Sequence, residues 1–149
     1  MAQSVFQYNE KVFQTTVVPV DGNCLFSCFS LILYGHLGKQ NTVRNEIVNY
    51  ITSKWIEFSN FIWGDDTYNK VILNSKSFYD HMSQDGVYGG APEILAACNL
   101  YNLNVNIYYT DRVPQKFSSN QFTNVEFNLL FTGKSLDGGH FTLLSETSI

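Results

Sequence analysis

The spacing of the apolar residues changes near residue 104, and this change narrows the possible folds more than any other feature. Within residues 41–62 the apolar side chains recur every three or four positions, as on the buried face of a helix: Val43, Ile47, Ile51, Trp55, Phe58 and Ile62. At Val105, Ile107 and Tyr109 they alternate with polar residues, which is the pattern of a strand. Helices followed by strands in one chain predict the α+β class.

Four segments have the apolar spacing or the end residues of helices. Asp65 and Asp66 suit the N-terminal end of the helical segment within 65–84, and Gly86 is expected to end this segment. Before the first helix, the β-branched run at 15–20 is expected to lead the chain into a turn. The predicted helices are Cys24–Tyr34, which is apolar nearly all round, 41–62 with Asn41 or Thr42 as cap, one or two short helices within 65–84, and 92–101 with Pro92 in its first turn.

Strands are predicted at 127–131 and 141–144, in addition to the alternating segment around Ile107. Residues 110–124 are rich in Ser, Asn and Gln and are expected to form a loop or a weak edge strand. The chain contains no internal repeat and no low-complexity tract, and its 149 residues match the usual size of one domain. We therefore expect a single domain at 1–149.

The charge and the cysteine content exclude several classes of protein. The net charge is −4 and the 9 Lys and Arg residues are scattered singly, whereas a nucleic-acid groove needs a basic stripe. The N-terminal residues lack the features of a signal peptide, and the longest apolar stretch, at 31–34, is too short to cross a bilayer. The 3 cysteines have no zinc-site spacing. We expect reduced thiols, no metal and a monomeric, cytoplasmic protein that acts on a protein or a small substrate.

Cys24 has the sequence surroundings of a reactive thiol. It opens a predicted helix, where unpaired N–H groups and the helix dipole favour the thiolate. Gly22, in the turn before it, permits a backbone bend that a side chain would block. The backbone amides of Gly22, Asn23 and Cys24 are therefore candidates for an oxyanion hole. The alternative is a buried core residue, since cysteine is among the most buried residue types.

A catalytic thiol needs a base, and 3 histidines are available. His140 follows Gly138 and Gly139 and begins an apolar strand, so it is expected to project from the edge of a rigid sheet. His36 lies at the far end of the first helix, and His81 lies in a polar helix. We favour His140 as the base, against the alternative of a strand-edge histidine that merely satisfies a carbonyl.

Three motifs stand out along the chain: Asp-Gly-Asn-Cys-Leu-Phe at 21–26, Tyr-Gly-Gly-Ala-Pro-Glu-Ile at 88–94 and Gly-His-Phe at 139–141. They resemble, in the same order, the motifs of the ovarian tumour (OTU) family of cysteine deubiquitinases. The resemblance implies a papain-like fold with a small, mostly antiparallel central sheet flanked by helices, and no cofactor. It also implies hydrolysis of isopeptide or peptide bonds after the C-terminal glycine of ubiquitin, with ubiquitin-like modifiers as further substrates. The short chain resembles viral or bacterial-effector members, which act in the host cytosol.

The family's mechanism implies a role for each matching residue. The Cys24 thiolate attacks the glycine carbonyl, the turn amides hold the oxyanion, and His140 protonates the leaving lysine amine and then activates water. Tyr88, Gly89 and Gly90 are expected to line a narrow channel for the Gly-Gly tail.

The third catalytic member is less defined, because the chain departs from the family there. Many members carry Asp or Asn two residues after the catalytic histidine, where this chain has Thr142. Asp21 is the favoured substitute, Asp137 is a second candidate, and a Cys-His dyad is a third possibility. Asp21 has a structural alternative as a turn residue whose side chain accepts from the following amides.

Several residues have plain structural interpretations, and two other functions compete with the deubiquitinase. Cys28 and Cys98 are expected to be buried thiols, and Glu93 a helix-start residue. A ubiquitin-binding module that has lost catalysis is one rival function, for which Thr142 is the hint. Another thiol hydrolase or acyltransferase on a papain-like fold is the second.

Overall fold

The computed structural model describes residues 4–62, 72, 74–133 and 139–147. Six of its strands form one sheet in the order β1-β2-β6-β5-β3-β4. All neighbouring strands are antiparallel except β3 and β5, which are parallel. The predicted α+β class and the mostly antiparallel sheet are therefore confirmed. The strands are β1 at Val5–Tyr8, β2 at Lys11–Thr16, β3 at Asn104–Tyr109, β4 at Gln115–Phe117, β5 at Glu126–Thr132 and β6 at His140–Glu146.

The predicted strands are confirmed, but the N-terminal hairpin of β1 and β2 was missed. Most residues of these two strands are exposed or half-buried, so the hairpin has no strong apolar alternation to reveal it. The β-branched run at 15–20 is strand only as far as Thr16, after which Val17 and Val20 are exposed. The region 110–124 contains the short edge strand β4, as expected.

The helices are α1 at Cys24–Tyr34, α2 at Gln40–Ser53, α3 at Trp55–Phe58, α4 at Ser75–Met82 and α5 at Ala91–Tyr101. The bounds of α1 are as predicted. The single helix expected at 41–62 is wrong, because Lys54 leaves helical geometry at φ −116° and ψ 34°. The apolar rhythm nevertheless continues across this break to the buried Phe58, so the spacing does not reveal it.

The expected helix ends need further correction. α2 begins at Gln40, directly after the 3₁₀ turn Leu37–Lys39, so neither Asn41 nor Thr42 caps it. α4 starts after Asn74, whose side chain accepts from the Ser77 amide at 2.9 Å. α4 already ends at Met82, so Gly86 does not stop it and lies in the following turn with φ +85°. Asp65 and Asp66 lie outside the described residues.

The α1 helix forms the centre of the main core. Its first seven residues are all buried, and it packs against α2 and against β6. The larger core lies between the helices and one face of the sheet, where Val105, Ile107 and Leu129 point. A smaller cluster on the other face contains Phe13, Tyr108, Leu130 and Leu144. None of the helices in the described ranges is long and apolar enough to cross a membrane.

Candidate active site

The structure places Cys24 beside the strand that carries His140. Cys24 is the first residue of α1 and is only 1% exposed. Its Sγ accepts a hydrogen bond from the backbone amide of Phe141, with 3.5 Å between nitrogen and sulfur. Because His140 immediately precedes Phe141 and begins β6, the contact brings together two predicted site residues that are far apart in sequence.

The turn before Cys24 is packed against a second turn. A Cβ built on Gly22 would lie 1.6 Å from the carbonyl oxygen of Gly86. No side chain fits at position 22, so glycine is required here by the close approach of two backbone segments. The predicted need for glycine at position 22 thus has a different cause from the expected bend of the chain.

Asp21 occupies two of the three amides that were predicted to form an oxyanion hole. Its Oδ1 accepts from the Asn23 amide at 2.9 Å, and its carbonyl accepts from the Cys24 amide at 3.4 Å. The alternative of Asp21 as a turn residue is therefore confirmed by the first of these bonds. To bind an oxyanion, the Asn23 amide has to exchange the carboxylate for the substrate oxygen.

His140 lacks an orienting partner among the described residues. Its Nδ1 atom is buried and makes no hydrogen bond, to Asp21, to Thr142 or to any other described group. Burial lowers the pKa of His140, and the negative charge of Asp21 raises it in part. Asp21 therefore acts on the imidazole through its charge, without a direct hydrogen bond. Asp137 lies outside the described residues.

The electrostatics favour a neutral thiol beside a neutral imidazole. Burial raises the pKa of Cys24, the amides of Phe141 and Leu25 lower it, and the charge of Asp21 raises it again. The pKa of the thiol is raised overall, while that of His140 is lowered. The position at the helix N-terminus thus does not by itself produce a standing thiolate, and the base has to remove the proton.

The burial and the hydrogen bonds of the other cysteines and histidines, and of Glu93, indicate structural roles. Cys28 and Cys98 are fully buried, as predicted, and burial raises the pKa of Cys98 to about 12. His36 is exposed, and its Nδ1 accepts from the Gly38 amide at 3.0 Å. His81 is buried in α4. Glu93 accepts from the Gly90 amide at 2.7 Å, which confirms its helix-start role, and burial raises its pKa to about 7.

A cavity of about 490 Å³ has in its wall Gly139 and Phe141, the two neighbours of His140 in the sequence. Tyr88, Gly89 and Gly90, the predicted channel residues, line the same cavity. A Cβ on Gly89 would lie 2.8 Å from the Leu25 side chain. At Gly90 a Cβ would meet no atom within 4 Å, so this position faces open space. The three predicted channel residues therefore share one concave surface with Phe141 of β6.

Arg44, which was not predicted from the sequence, lies behind the turn that carries Cys24. This α2 residue is 2% exposed, and its guanidinium donates to Asn23 Oδ1 at 2.8 Å and to the Gly22 carbonyl at 3.4 Å. A signal was present in the sequence, since Arg44 stands four residues before Val48 on the apolar face of α2. A charged residue on such a face usually has a specific set of buried partners.

Among the described residues, no three His, Cys, Asp or Glu side chains cluster as metal ligands would.

Comparison with known proteins finds the same family throughout. The family described as OTU-like cysteine protease matches residues 19–141. OTU domain-containing protein 1 of Mus musculus is 32% identical over 91 residues, which cover 61% of this chain and 18% of that protein. Ubiquitin thioesterase otu2 of Schizosaccharomyces pombe is 28% identical over 104 residues, covering 68% and 34%. The chain thus matches only a minor part of the length of these relatives.

Solved structures of OTU domains share the fold. The OTU domain of OTUD1 superimposes with a TM-score of 0.73 at 23% identity, covering 89% of this chain and 85% of that one. The viral OTU protease from Dera Ghazi Khan virus gives a TM-score of 0.74 at 21% identity, covering 97% and 87%. The predicted papain-like OTU fold is therefore confirmed. Together with the match over residues 19–141, these findings show that the chain belongs to the family of OTU-like cysteine proteases.

Proposed function

We propose that the chain is a deubiquitinase that cleaves isopeptide or peptide bonds after the C-terminal glycine of ubiquitin. The observation that carries the proposal is the contact of Cys24 Sγ with the Phe141 amide, directly after His140. Relatives named ubiquitin thioesterase and deubiquitinating enzyme support the reaction. OTU structures from Hazara virus and Wolbachia pipientis are bound to ubiquitin, which supports the partner.

The reaction begins from the neutral pair. His140 takes the proton of the Cys24 thiol while Sγ attacks the carbonyl carbon of the terminal glycine. The backbone amides of the turn donate to the resulting oxyanion, the Asn23 amide after it has released the Asp21 carboxylate. The imidazolium then protonates the leaving lysine amine, which leaves an acyl-enzyme on Cys24. Neutral His140 activates water, which releases the ubiquitin carboxylate and restores the thiol.

The cavity lined by Tyr88, Gly89 and Gly90 is the proposed channel for the end of the ubiquitin tail. Two consecutive glycines have no side chains and pass through a passage that excludes larger residues. Gly139 lines the same cavity next to His140, so a tail lying there would approach the reacting atoms along the catalytic strand.

A ubiquitin derivative with a thiol-reactive C-terminal group tests the proposal directly. We expect one adduct on the wild type by intact mass, none on Cys24→Ala and slow formation on His140→Ala. Cys28→Ala is the matched control, because Cys28 is buried one turn further along the same helix and should leave adduct formation intact. A well-folded wild type that forms no adduct would overturn the proposal.

A ubiquitin-binding module with weak or no catalysis is the second candidate. Two observations favour it: Nδ1 of His140 has no hydrogen-bond partner among the residues that the structure describes, and the pKa of Cys24 is raised. In this case ubiquitin binds the wild type and Cys24→Ala equally well, as measured by calorimetry, while no adduct forms. If an acyl probe without ubiquitin forms an adduct and the ubiquitin probe does not, the protein is a different papain-like thiol hydrolase.

We also propose that the protein acts as a monomer in the cytoplasm, or in the host cytosol if it comes from a virus or a bacterium. The three buried free cysteines and the net charge of −4 are consistent with a reducing compartment and with a protein partner. Light scattering measures the oligomeric state. Probes built on ubiquitin-like modifiers test whether these are further substrates.

A further inference from the structure

Arg44 connects three separate segments of the chain behind the active site. Besides the turn before Cys24, its guanidinium donates to the carbonyl of Met82 at 2.9 Å and to that of Val87 at 2.8 Å. The guanidinium also lies over the ring of Phe26 in α1, with 4.2 Å to the ring centre. All the acceptors are uncharged oxygens, three of backbone carbonyls and one of a side-chain amide. The planar guanidinium therefore fixes the positions of these groups relative to one another.

The side chain of Asn23 completes the connection. Its Oδ1 accepts from the Gly86 amide at 2.8 Å as well as from Arg44, and its Nδ2 donates to Asp85 at 3.1 Å. Asn23 is itself 6% exposed, so these bonds are largely shielded from water. The turn that carries the nucleophile is thereby fixed to segment 82–87.

Both ends of this network reach the reacting groups. Asn23 directly precedes Cys24, and the amides at the start of α1 and of Phe141 are the donors that lower the pKa of its thiol. Val87 directly precedes Tyr88, the first residue of the proposed channel. A shift of the guanidinium would therefore move the nucleophile and the channel wall relative to each other.

The buried guanidinium supplies donors to the carbonyls at both ends of segment 82–87. Burial costs desolvation free energy, which lowers the pKa of Arg44, and an apolar side chain would avoid this cost but would leave these carbonyls without their donors. Buried polar networks that are fully bonded fix one unique geometry. Such a fixed geometry is needed where reacting atoms must be aligned.

We propose that Arg44 is a positioning residue of the active site, which holds Asn23 and segment 82–87 in the one arrangement that aligns Cys24 with its base and with the channel. The inference rests on the proposed function only in taking Cys24 as the nucleophile. It predicts that Arg44 affects the reactivity of the thiol itself, beyond any effect on folding.

Two measurements on Arg44→Gln test the proposal. The first is alkylation of Cys24 by iodoacetamide against pH, followed by peptide mass. The second is turnover of ubiquitin carrying a fluorogenic C-terminal amide. We expect the midpoint of thiol titration to move to higher pH, because the amides that stabilise the thiolate lose their alignment. We expect kcat to fall by about 10- to 100-fold with KM little changed.

The matched control is Ile51→Ala, a fully buried residue on the same helix that is two turns from Arg44. It should lower the melting temperature while leaving the thiol midpoint and kcat of the folded enzyme unchanged. Arg44→Lys keeps the charge but has one donor group in place of the planar fork, so it should restore little of the rate. Asn23→Ala, which keeps the backbone amide, should reproduce the Arg44→Gln effects, and the double variant should be no worse.

An unchanged thiol midpoint and kcat in folded Arg44→Gln would overturn the inference, as would equal effects in Ile51→Ala. If Arg44→Gln and Asn23→Ala both fail to fold, the network serves the whole domain and the positioning role is rejected. Failure of the proposed function has a different signature. In that case wild type forms no ubiquitin adduct, while the thiol midpoint still responds to Arg44.

Discussion

Asp21 has two separable effects on the candidate site. Its carboxylate accepts from the Asn23 amide and so shapes the turn, while its charge raises the pKa of both Cys24 and His140. Neither effect is that of an orienting carboxylate, which would hydrogen-bond the imidazole. The Asp21→Asn variant separates the two, because an amide oxygen can still accept from the turn but carries no charge.

We predict that Asp21→Asn shifts the acid limb of kcat/KM to lower pH. Removing the negative charge lowers the pKa of His140, so the imidazole stays neutral, and able to act as a base, at more acidic pH. The midpoint of Cys24 alkylation should move to lower pH for the same reason. The pH profiles of hydrolysis and of alkylation measure both shifts.

The size of the rate change in Asp21→Asn identifies the role of the carboxylate. Loss of a true orienting aspartate costs about 10⁴-fold in kcat, and we expect a far smaller loss here. Asp21→Ala, which also removes the acceptor of the turn, should be the slower variant of the two. An acid limb that moves to higher pH in Asp21→Asn contradicts the charge effect.

Local motifs in the sequence were sufficient to locate most of the site. Cys24 contacts the amide of Phe141, the residue after His140, and Tyr88 lines a cavity whose wall also includes Phe141. Arg44 and the side chain of Asn23 were not found, because their partners at 82–87 are distant in sequence. Spacing along one helix shows which face is buried but not which backbone oxygens meet that face.

At the scale of elements, the accuracy of the sequence predictions followed burial. The α1 helix and the central strands are largely buried, and their apolar patterns located them correctly. The hairpin of β1 and β2 lies at the edge of the sheet, where few side chains must be apolar, so it was missed. The break at Lys54 escaped notice because Phe58 still falls on the buried face.

The contact between the turns at 21–24 and 82–87 should make Gly22→Ala strongly destabilising. The added methyl group would overlap the Gly86 carbonyl, a backbone atom that cannot rotate away, so the turns must separate. We expect a loss of about 3 kcal/mol or more in the free energy of unfolding, measured by urea denaturation.

Gly90→Ala is the matched control for this prediction, since a Cβ there meets no atom within 4 Å. It should change the free energy of unfolding by no more than about 0.5 kcal/mol. Equal stability of the two variants would show that the turns do not touch as described.

At the scale of the whole molecule, the candidate site lies where the helical layer meets the sheet. The α1 helix supplies the thiol, β6 supplies the imidazole, and the segment before α5 supplies the cavity wall. The parts come from both layers, so the site depends on the relative placement of the helices and the sheet. In the proposed function, the cavity is the passage by which the ubiquitin tail reaches the site.

We predict that Gly90→Leu blocks the ubiquitin tail without altering the thiol. A side chain at this position projects into open space along the cavity, so it should slow the ubiquitin adduct by about 10-fold or more. Alkylation of Cys24 by iodoacetamide, a much smaller reagent, should keep the wild-type rate. Equal slowing of both reactions would indicate a disturbed site, and no slowing of either would place the tail elsewhere.

The hydrogen bond from the Phe141 amide to Cys24 also has a consequence for the newly made protein. It joins the first helix to the last strand, across a sequence separation of 117 residues. Contacts between such distant parts of a chain are slow to form, because a long loop must close first. Cys24 leaves the ribosome long before His140 does. If the two residues act as proposed, the nascent chain carries an inactive thiol until β6 has been translated and inserted between β2 and β5.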